Sequence, residues 1–331
     1  MDVELPTPPH EHAIGRVLVA FAVAAAFLLG VYVLVQAVQP GFGVVSFTFL
    51  LILPAAVTSF ICYVGDPLNT RPRKYYHSVP LILMGLVVLA SIFILHEGTI
   101  CILMLSPLWM TSSFVGATAT RMYRHRHRHG DARTYSVAML ALPLVAMQVE
   151  PYIPLPQTER AVTRSIVVSA TPAQIWPLLE GIPDVRPDEG GWNLSQDVIG
   201  IPRPVGAQLL GAGVGAQRIA RWENQIRFRE IVTEWQAGRR LSWRFVFDDL
   251  NGWAFTDRHL MPKSPYFRIT TGGYRLDPVA PGRTRVTLTT RYWMQTAVND
   301  YSSLWGEFLL GDVESNLLAL VKQRAEGKAP D

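Results

Sequence analysis

The first half of the chain consists of long apolar runs separated by short polar breaks. Residues 17–65 contain no Asp, Glu, Lys or Arg. A helix that crosses a bilayer needs about 20 mostly apolar residues, and five segments approach this length: 17–38, 42–64, 79–95, 99–118 and 135–149. The last of them is short and interrupted by Pro143. The pattern therefore predicts an α-helical transmembrane bundle of four to five spans.

The second half of the chain alternates apolar and polar residues with the period of β-strands. A first strand is predicted at 162–169, and the dipeptide Thr171-Pro172 after it is typical of a helix start. Residues 181–205 are rich in Pro, Gly and Asp and predict a loop with a short helix or an edge segment. A series of strands joined by short turns follows, at 217–222, 226–235, 241–247, 267–276 and 285–293.

A long amphipathic helix is predicted at the C-terminal end, over 300–326. Its apolar positions recur at helical spacing: Tyr301, Leu304, Trp305, Phe308, Leu309, Val313, Leu317, Leu320 and Val321. Because this helix has to bury its apolar face, we expect it to pack on the sheet. The sequence thus predicts an α+β protein with a transmembrane region over 1–156 and a sheet-and-helix domain over 157–328.

The loops between the apolar segments alternate in charge. The loop with Arg71, Arg73 and Lys74 is basic, and so is 121–133, whereas those at 39–41 and 96–98 contain no Lys or Arg. Because basic loops stay in the cytoplasm, five spans would place the C-terminal domain outside the cytoplasm, at the inner membrane of a cell. If 135–149 does not span, that domain is cytoplasmic.

Charge and cysteine content exclude several kinds of function. From residue 150 onward the chain has 21 Lys and Arg against 20 Asp and Glu, so no basic surface for nucleic acid is expected. The two cysteines, Cys62 and Cys101, both lie in apolar segments, so the second half of the chain can form neither a disulfide framework nor a cysteine-based zinc site.

Two further motifs carry no predicted function. The glycines of 211–216 lack the spacing of a dinucleotide-binding loop. Arg and His alternate over 124–129. Because this run lies in a loop beside the membrane, where positive charge is expected, we predict no metal site there. We also predict no cofactor for the chain.

The second half resembles the START-like superfamily, also called SRPBCC or polyketide cyclase/dehydrase-like. The resemblance rests on VTRSIVVSATPAQIWPLL at its start, on GVGAQRIARW and FREIVTEWQAGRRLSWRF in its middle, and on the long helix after TRVTLTTRY. It covers about half of the chain, residues 160–326, and does not include the membrane half. It implies a helix-grip fold, in which a curved antiparallel sheet wraps a terminal helix and leaves an apolar cavity for a lipid or other hydrophobic small molecule.

The candidate ligand-binding residues are large side chains expected between sheet and helix, since apolar pockets are lined by such residues. They are Trp176, Trp222, Phe228, Trp243, Phe245, Tyr274, Tyr292, Trp305, Phe308 and Leu309. The possible acid or base residues are Asp257 and His259 in a loop near the sheet edge. Arg244, Arg291 and Asp312 are further polar candidates, and the strand pattern predicts that both arginines face solvent.

Three hypotheses about function follow. The leading one is non-enzymatic: a multipass membrane protein displays a START-like domain that binds or transfers a lipid or another hydrophobic small molecule, with membrane lipids as its partners. An enzyme of the cyclase or hydrolase type acting on an apolar substrate is the alternative, but no convergent acid and base are evident in the sequence. A sensor or assembly module, with a filled core in place of the cavity, is the third.

Overall fold

The chain forms two compact units. The computed structural model describes residues 9–38, 45–67, 69–95, 98–126, 132–253, 256 and 260–327. A helical unit comprises Met1–Glu97 and Cys101–Leu155, and a sheet unit comprises Gly98–Ile100 and Pro156–Asp331.

The described part of the helical unit contains five α-helices. They are α1 (Pro9–Val38), α2 (Leu53–Gly65), α3 (Arg73–Ala90), α4 (Thr99–Arg126) and α5 (Ala132–Val149). Two of them are extended by π-helical turns, Thr48–Ile52 before α2 and Ser91–Leu95 after α3. Helices α1, α3 and α5 each pack against α2.

Four of the described helical segments are long and apolar enough to cross a membrane. They are Ile14–Ala37, Thr48–Gly65, Arg73–Leu95 and Thr99–Arg126. These coincide with four of the five predicted spans, while the fifth prediction corresponds to α5, whose crossing of a membrane and whose orientation stay predictions. The second segment is 78% buried, against 17%, 22% and 33% for the others, so α2 forms the centre of this unit.

Close packing around α2 depends on small residues of α4. A Cβ atom on Gly116 would lie 2.2 Å from the carbonyl oxygen of Ala55 on α2. At the same place, the Ser59 hydroxyl donates to the carbonyl oxygen of Gly116 at 3.0 Å, and the Thr120 hydroxyl donates to it at 2.9 Å. Small residues of this kind allow backbones in a membrane to approach closely, and hydroxyls add hydrogen bonds between helices.

Gly116→Ala is expected to destabilise the helical unit by about 1–3 kcal/mol, the usual effect of overpacking, because the new methyl group meets backbone that cannot rotate away. Thermal unfolding of the purified chain in detergent measures this. Gly85→Ala on α3 is the matched control, since its Cβ would meet nothing within 4 Å. Equal melting temperatures for the two variants would contradict this account of the packing.

Two buried carboxylates secure the ends of helical segments. Glu150, just after α5, accepts hydrogen bonds from the backbone N–H groups of Phe47 and Thr48, the latter at 2.9 Å, where the segment leading into α2 begins. Asp66, after α2, accepts from the N–H of Thr70 and the hydroxyl of Tyr76, both at 2.9 Å. Glu150 thus satisfies N–H donors that the start of a helical segment leaves without partners, and Asp66 joins the loop after α2 to α3.

The described part of the sheet unit consists of one antiparallel sheet and three α-helices. Its elements in chain order are β1 (Gln157–Val168), α6 (Pro172–Glu180), α7 (Leu194–Asp197), β2 (Pro204–Leu210), β3 (Gln217–Trp222), β4 (Arg227–Gln236), β5 (Arg240–Val246), β6 (Phe267–Ala280), β7 (Arg283–Gln295) and α8 (Asn299–Glu326). The strand order is β1-β7-β6-β5-β4-β3-β2. The predicted α+β fold class, with a long C-terminal helix on a curved antiparallel sheet, is confirmed.

Helix α8 packs mainly against β1 and β7. Its sheet-facing side carries Leu310, which packs against the cluster that contains Tyr292, and Leu318 and Val321, which belong to the main core. The predicted apolar stripe is wrong at one position in the first half of the helix, because Leu304 is 67% exposed.

Glycines as well as Leu310 mark where the first half of α8 meets the sheet. A Cβ atom on Gly306 would lie 2.4 Å from the Tyr292 hydroxyl, and one on Gly311 would lie 2.1 Å from the Arg164 guanidinium. Large side chains from β7 and β1 therefore occupy the space that larger helix residues would otherwise fill. This explains why the spacing of large apolar residues alone does not locate the contact side of this half of the helix.

Candidate functional site

The inner face of the sheet carries a buried ion pair. Arg218 on β3 lies opposite Glu230 on β4 in the strand register, and its guanidinium forms a salt bridge with the Glu230 carboxylate. The two side chains are only 9% and 6% exposed. They share their strand faces with Ala220 and Phe228, both buried, as the period of two along a strand requires.

The pKa values of this pair reflect burial and mutual attraction. Burial acts to lower the pKa of Arg218, but the Glu230 carboxylate outweighs it, so the pKa rises and the guanidinium stays charged. Burial raises the pKa of Glu230, and Arg218 opposes that rise. Removing either partner alone would leave the other in the interior without its counter-charge.

A continuous series of aromatic rings lies beside the ion pair. The Arg218 guanidinium lies 5.8 Å from the ring centroid of Trp243. From Trp243, neighbouring centroids lie 5.3–6.0 Å apart. We call the six residues of this series the aromatic wall: Tyr274, Trp243, Phe245, Phe228, Phe247 and Trp222.

Trp243 fits against the sheet because β6 has a glycine beside it. Gly272 is its register partner, and a Cβ atom there would lie 2.8 Å from the indole ring. Trp243 is consequently only 3% exposed. The indole is thus held in one position on the inner face.

The aromatic wall extends from a part that α8 covers to a part that it does not. Trp243 and Tyr274 belong to the core cluster that includes Leu318 and Val321 of α8. At the other end, Phe228 and Phe247 form a separate cluster that contains no α8 residue among those described. Trp222 and Phe245 remain half-exposed, so this end of the wall is accessible from outside.

Glu314 of α8 is a buried acid on the sheet-facing side of the helix. It is 1% exposed, and neither carboxylate oxygen has a hydrogen-bond partner of normal geometry among the described residues. Burial raises the pKa of Glu314 to about 8, while hydrogen bonding from the hydroxyl and the backbone N–H of Thr290 and the charge of Arg164 act in the opposite direction. At neutral pH Glu314 is therefore mostly an uncharged carboxylic acid.

Tyr274 connects Glu314 with the ion pair. Burial, as the largest cause, raises the pKa of Tyr274 to about 12, and the charges of Arg218, Glu230 and Glu314 all act on it. The guanidinium and the two carboxyl groups thus all lie within electrostatic range of one phenol. Together with Trp243, these residues make a polar cluster at the covered end of the aromatic wall.

Two buried donors in this cluster have no hydrogen-bond partner within the described chain. They are the indole Nε1 of Trp243 and the Nε of Arg218. Most buried donors in proteins are paired, and an unpaired one costs about 1–3 kcal/mol. These unpaired donors distinguish the covered end of the aromatic wall from the rest of the core.

The structure brings five of the ten predicted ligand-binding residues together. Trp222, Phe228, Trp243, Phe245 and Tyr274 all belong to the aromatic wall. Trp176 of α6 lies elsewhere in the main core, with its ring 5.4 Å from that of Trp235. Tyr292 packs beneath the first half of α8, with its ring 5.7 Å from Phe267.

The other predicted site residues lie apart from the wall or outside the described chain. Trp305 and Phe308 are half-buried and contact each other, with centroids 6.2 Å apart, and Leu309 is also half-buried. Asp257 and His259 lie outside the described residues. A role in binding stays a prediction for all of them.

Of the further polar candidates, Arg244 and Arg291 are exposed, as predicted. Asp312 accepts hydrogen bonds from the N–H and the hydroxyl of Ser195, at 3.0 and 2.7 Å, and so joins α7 to α8. Asp312 therefore has a structural task in the fold.

The sequence analysis missed the three charged members of the polar cluster. Arg218 and Glu230 occupy inward positions of their strands, in phase with Ala220 and Phe228. Glu314 stands four residues after Leu310, in phase with the sheet-facing side of α8. Charged residues at inward positions were the available signal, because a side chain of this type is rarely buried without a reason.

No family model matches the chain. No curated protein matches it either. Solved structures are similar to about half of it. A truncated norcoclaurine synthase from Thalictrum flavum has 10% identity and a TM-score of 0.31, with 51% of this chain and 97% of that one covered. The Zhui aromatase/cyclase from Streptomyces sp. R1128 has 13% identity and a TM-score of 0.32, with 50% and 94% covered. A protein from Thermobifida fusca has 20% identity and a TM-score of 0.29, with 50% and 92% covered.

The order of elements in the sheet unit, with β1 and α6 first, six further antiparallel strands and α8 last, agrees with the resemblance in the sequence. The sheet unit has a START-like helix-grip fold. In this START-like domain the aromatic wall and the polar cluster both lie on the face of the sheet that α8 grips. The polar cluster and the covered end of the aromatic wall therefore lie in the interior of the fold, while Trp222 marks the end that is partly exposed.

Proposed function

We propose that the chain is a multipass membrane protein whose START-like domain binds a lipid or another hydrophobic small molecule between its sheet and α8. The observation that carries this proposal is the aromatic wall, which leads from half-exposed rings to unpaired polar groups in the interior. Apolar pockets with a few convergent polar groups are the usual form of small-molecule sites.

The four membrane-spanning candidates support transfer of a molecule to or from the bilayer. Between the end of α5 at Val149 and the start of β1 at Gln157 lie only seven residues, which reach about 25 Å at most when extended. A domain on so short a connection stays close to any membrane that holds the helices. The location that we propose is the inner membrane of a cell, with the domain outside the cytoplasm.

Native mass spectrometry of the full chain tests the binding proposal. The protein is released from membranes in a mild detergent, and the bound mass is identified after extraction. We expect one class of apolar molecule with the wild-type chain. Ala220→Trp, which adds a large side chain beside Phe228 on the inner face, should greatly reduce the bound mass. Arg244→Trp on the outer face is the matched control and should retain it. Absence of any bound molecule from folded wild-type protein would refute the proposal.

An enzyme of the cyclase or hydrolase type is the second candidate. Glu314 favours it, because an acid with a pKa near the working pH is suited to proton transfer. Such an enzyme would convert the bound molecule, whereas a carrier returns it unchanged. Incubating the extracted molecule with the wild-type chain and with Glu314→Gln distinguishes the two, since only an enzyme would yield a product that the variant fails to form.

A further inference from the structure

The segment that carries α7 presents apolar side chains to the outside of the START-like domain. Trp192 is 75% exposed, Leu194 is 42% exposed and Val198 is 64% exposed. The polar residues that alternate with them are buried: Asn193, Ser195 and Gln196. This is the reverse of the usual distribution, in which large apolar side chains are inside. Exposed apolar residues grouped in this way mark an interaction surface.

Hydrogen bonds to α8 hold this segment in place. The backbone N–H of Gly191 donates to Oδ1 of Asn316 at 2.8 Å, and the Ser195 hydroxyl donates to the Asp312 carboxylate at 2.7 Å. The side-chain amide of Asn316 also donates to Oε1 of Gln196 at 2.8 Å. The exposed side chains of the segment are therefore carried by a backbone that is fixed to the helix.

The first half of α8 adds apolar side chains on the same side. Leu304 is 67% exposed, and the half-buried rings of Trp305 and Phe308 lie with their centroids 6.2 Å apart. Phe308 precedes Asp312 by four residues, which places both on one side of the helix about one turn apart. Since Asp312 binds the α7 segment, the two groups of side chains lie side by side. We call six of these residues the α7–α8 surface: Trp192, Leu194, Val198, Leu304, Trp305 and Phe308.

The acids that flank this surface in the sequence are neutralised within the domain. Asp197 forms a salt bridge with Arg203 at 2.7 Å, and Glu307 forms one with Arg164 at 2.6 Å. A highly charged partner would have to compete with these existing pairs. The surface is therefore suited to an apolar environment that brings no counter-charge.

The start of α8 is fastened to the connection that leads from the membrane-spanning candidates. The Asn299 side chain donates to the carbonyl oxygen of Pro156 at 2.7 Å, and seven residues separate α5 from β1. Leu304 stands five residues after Asn299, about 8 Å along the helix. A bilayer that holds the N-terminal helices is thus within reach of this surface. Tryptophan is enriched at the boundary between a bilayer and water, where an apolar ring side is buried and the N–H stays wet.

We infer that the α7–α8 surface lies in the interface of the bilayer that holds the chain, with the apolar side chains below the headgroups. The inference rests on the membrane location in the proposed function and goes beyond it, since it assigns the surface by which the domain contacts the membrane. Burial of apolar area provides the attraction, as for other helices that lie in the plane of an interface. The contact therefore needs no anionic lipid.

Site-specific fluorescence in nanodiscs tests this contact. A genetically encoded, polarity-sensitive fluorescent residue replaces Leu304, or it replaces Arg285, an exposed residue on the opposite face of the sheet. The full chain is reconstituted at one copy per nanodisc in phosphatidylcholine with a spin-labelled fraction. The probe at position 304 should be quenched by the spin label, and the probe at position 285 should not. Quenching should be the same with phosphatidylglycerol present and at about 0.05 M and 0.5 M salt, because screening affects only charge-driven contacts.

Two variants with the probe at position 304 test the surface itself. Val198→Ser should shift the contact equilibrium about tenfold towards the free domain, since a buried apolar side chain is lost. Val214→Ser is the matched control, because Val214 is similarly exposed, at 69%, and lies in the loop between β2 and β3. It should leave the quenching unchanged. Both substitutions replace an exposed side chain, so the melting temperature of either variant should stay close to that of the wild type.

Equal quenching at positions 304 and 285 would overturn the inference, and so would equal effects of Val198→Ser and Val214→Ser. Quenching that requires anionic lipid or disappears at high salt would show a contact made by charge. A change in the emission at position 304 that needs two copies in one nanodisc would assign the surface to a second chain. If the contact is absent while the chain still carries its apolar molecule, the proposed function stands without it. If the chain does not stay in the nanodisc, the proposed membrane location fails, and the inference fails with it.

Discussion

Arg218→Met will destabilise the START-like domain by about 3–5 kcal/mol, because breaking a buried pair leaves an uncompensated charge in the interior. Glu230 loses its only described ion-pair partner, and burial then favours its protonation or the entry of water. Thermal unfolding of the full chain in detergent, followed by circular dichroism in the β-sheet region, measures the change. The melting temperature should fall by about 6–20 °C for a domain of this size.

The double variant Arg218→Met/Glu230→Leu is the decisive companion. Replacing both members of a buried pair with apolar residues is often neutral or stabilising, so most of the lost stability should return. Arg275→Met, which breaks an exposed pair with Asp277, should change the melting temperature little, since exposed pairs contribute little. If Arg218→Met behaves like Arg275→Met, the pair is not buried as described.

Glu314→Leu is expected to stabilise the protein at alkaline pH. Burial raises the pKa of Glu314 to about 8, whereas an unfolded chain has an ordinary value of about 4.3. The folded state therefore holds a proton that the unfolded state has released, and the stability contributed by this group is complete below pH 4 and is lost as the pH rises to about 8. Over the whole interval the loss amounts to about 5 kcal/mol at most.

Unfolding curves of the wild-type chain and Glu314→Leu at intervals between pH 4 and pH 9 test this expectation. The free energy of unfolding of the variant should exceed that of the wild type most strongly at pH 8 and above. Glu159→Gln, an exposed acid, should follow the wild-type pH profile. A wild-type stability that rises through the same interval, or a variant profile parallel to the wild type, would show that Glu314 is ionised in the folded protein.

Much of the fold could be predicted from the sequence because its elements have clear periods. Alternation identified the strands from β3 to β7 within a few residues, and the short turns between most of them fixed antiparallel pairing. Strand β2 (Pro204–Leu210) was not recognised, because it begins at a proline and its residues Gly206 and Ala207 carry little of the strand pattern. Among the described strands β2 lies at the edge of the sheet and pairs only with β3. A weak alternation of apolar and polar residues is therefore enough for this segment to form a strand.

The site was predictable only for its aromatic part. Aromatic residues at alternate positions of a strand lie on the same face of the sheet, and Phe228 on β4 and Trp243 on β5 could be assigned to the inner face in this way. The polar cluster depends on which strands become neighbours and on how α8 is rotated, and neither follows from local periodicity. Glu314 in particular could be placed only once Gly306 and Gly311 were seen to form the contact side of the helix.

Photocrosslinking from within the aromatic wall tests the central claim most directly. A photoreactive phenylalanine analogue is placed at Phe245, which faces inward, or at the adjacent Arg244, which faces outward, and the full chain is irradiated in native membranes. We predict an adduct of one small apolar molecule at position 245, with the mass found by co-purification, and none at position 244. No adduct at position 245, or the same mixture of membrane lipids at both positions, would contradict a binding site between the sheet and α8.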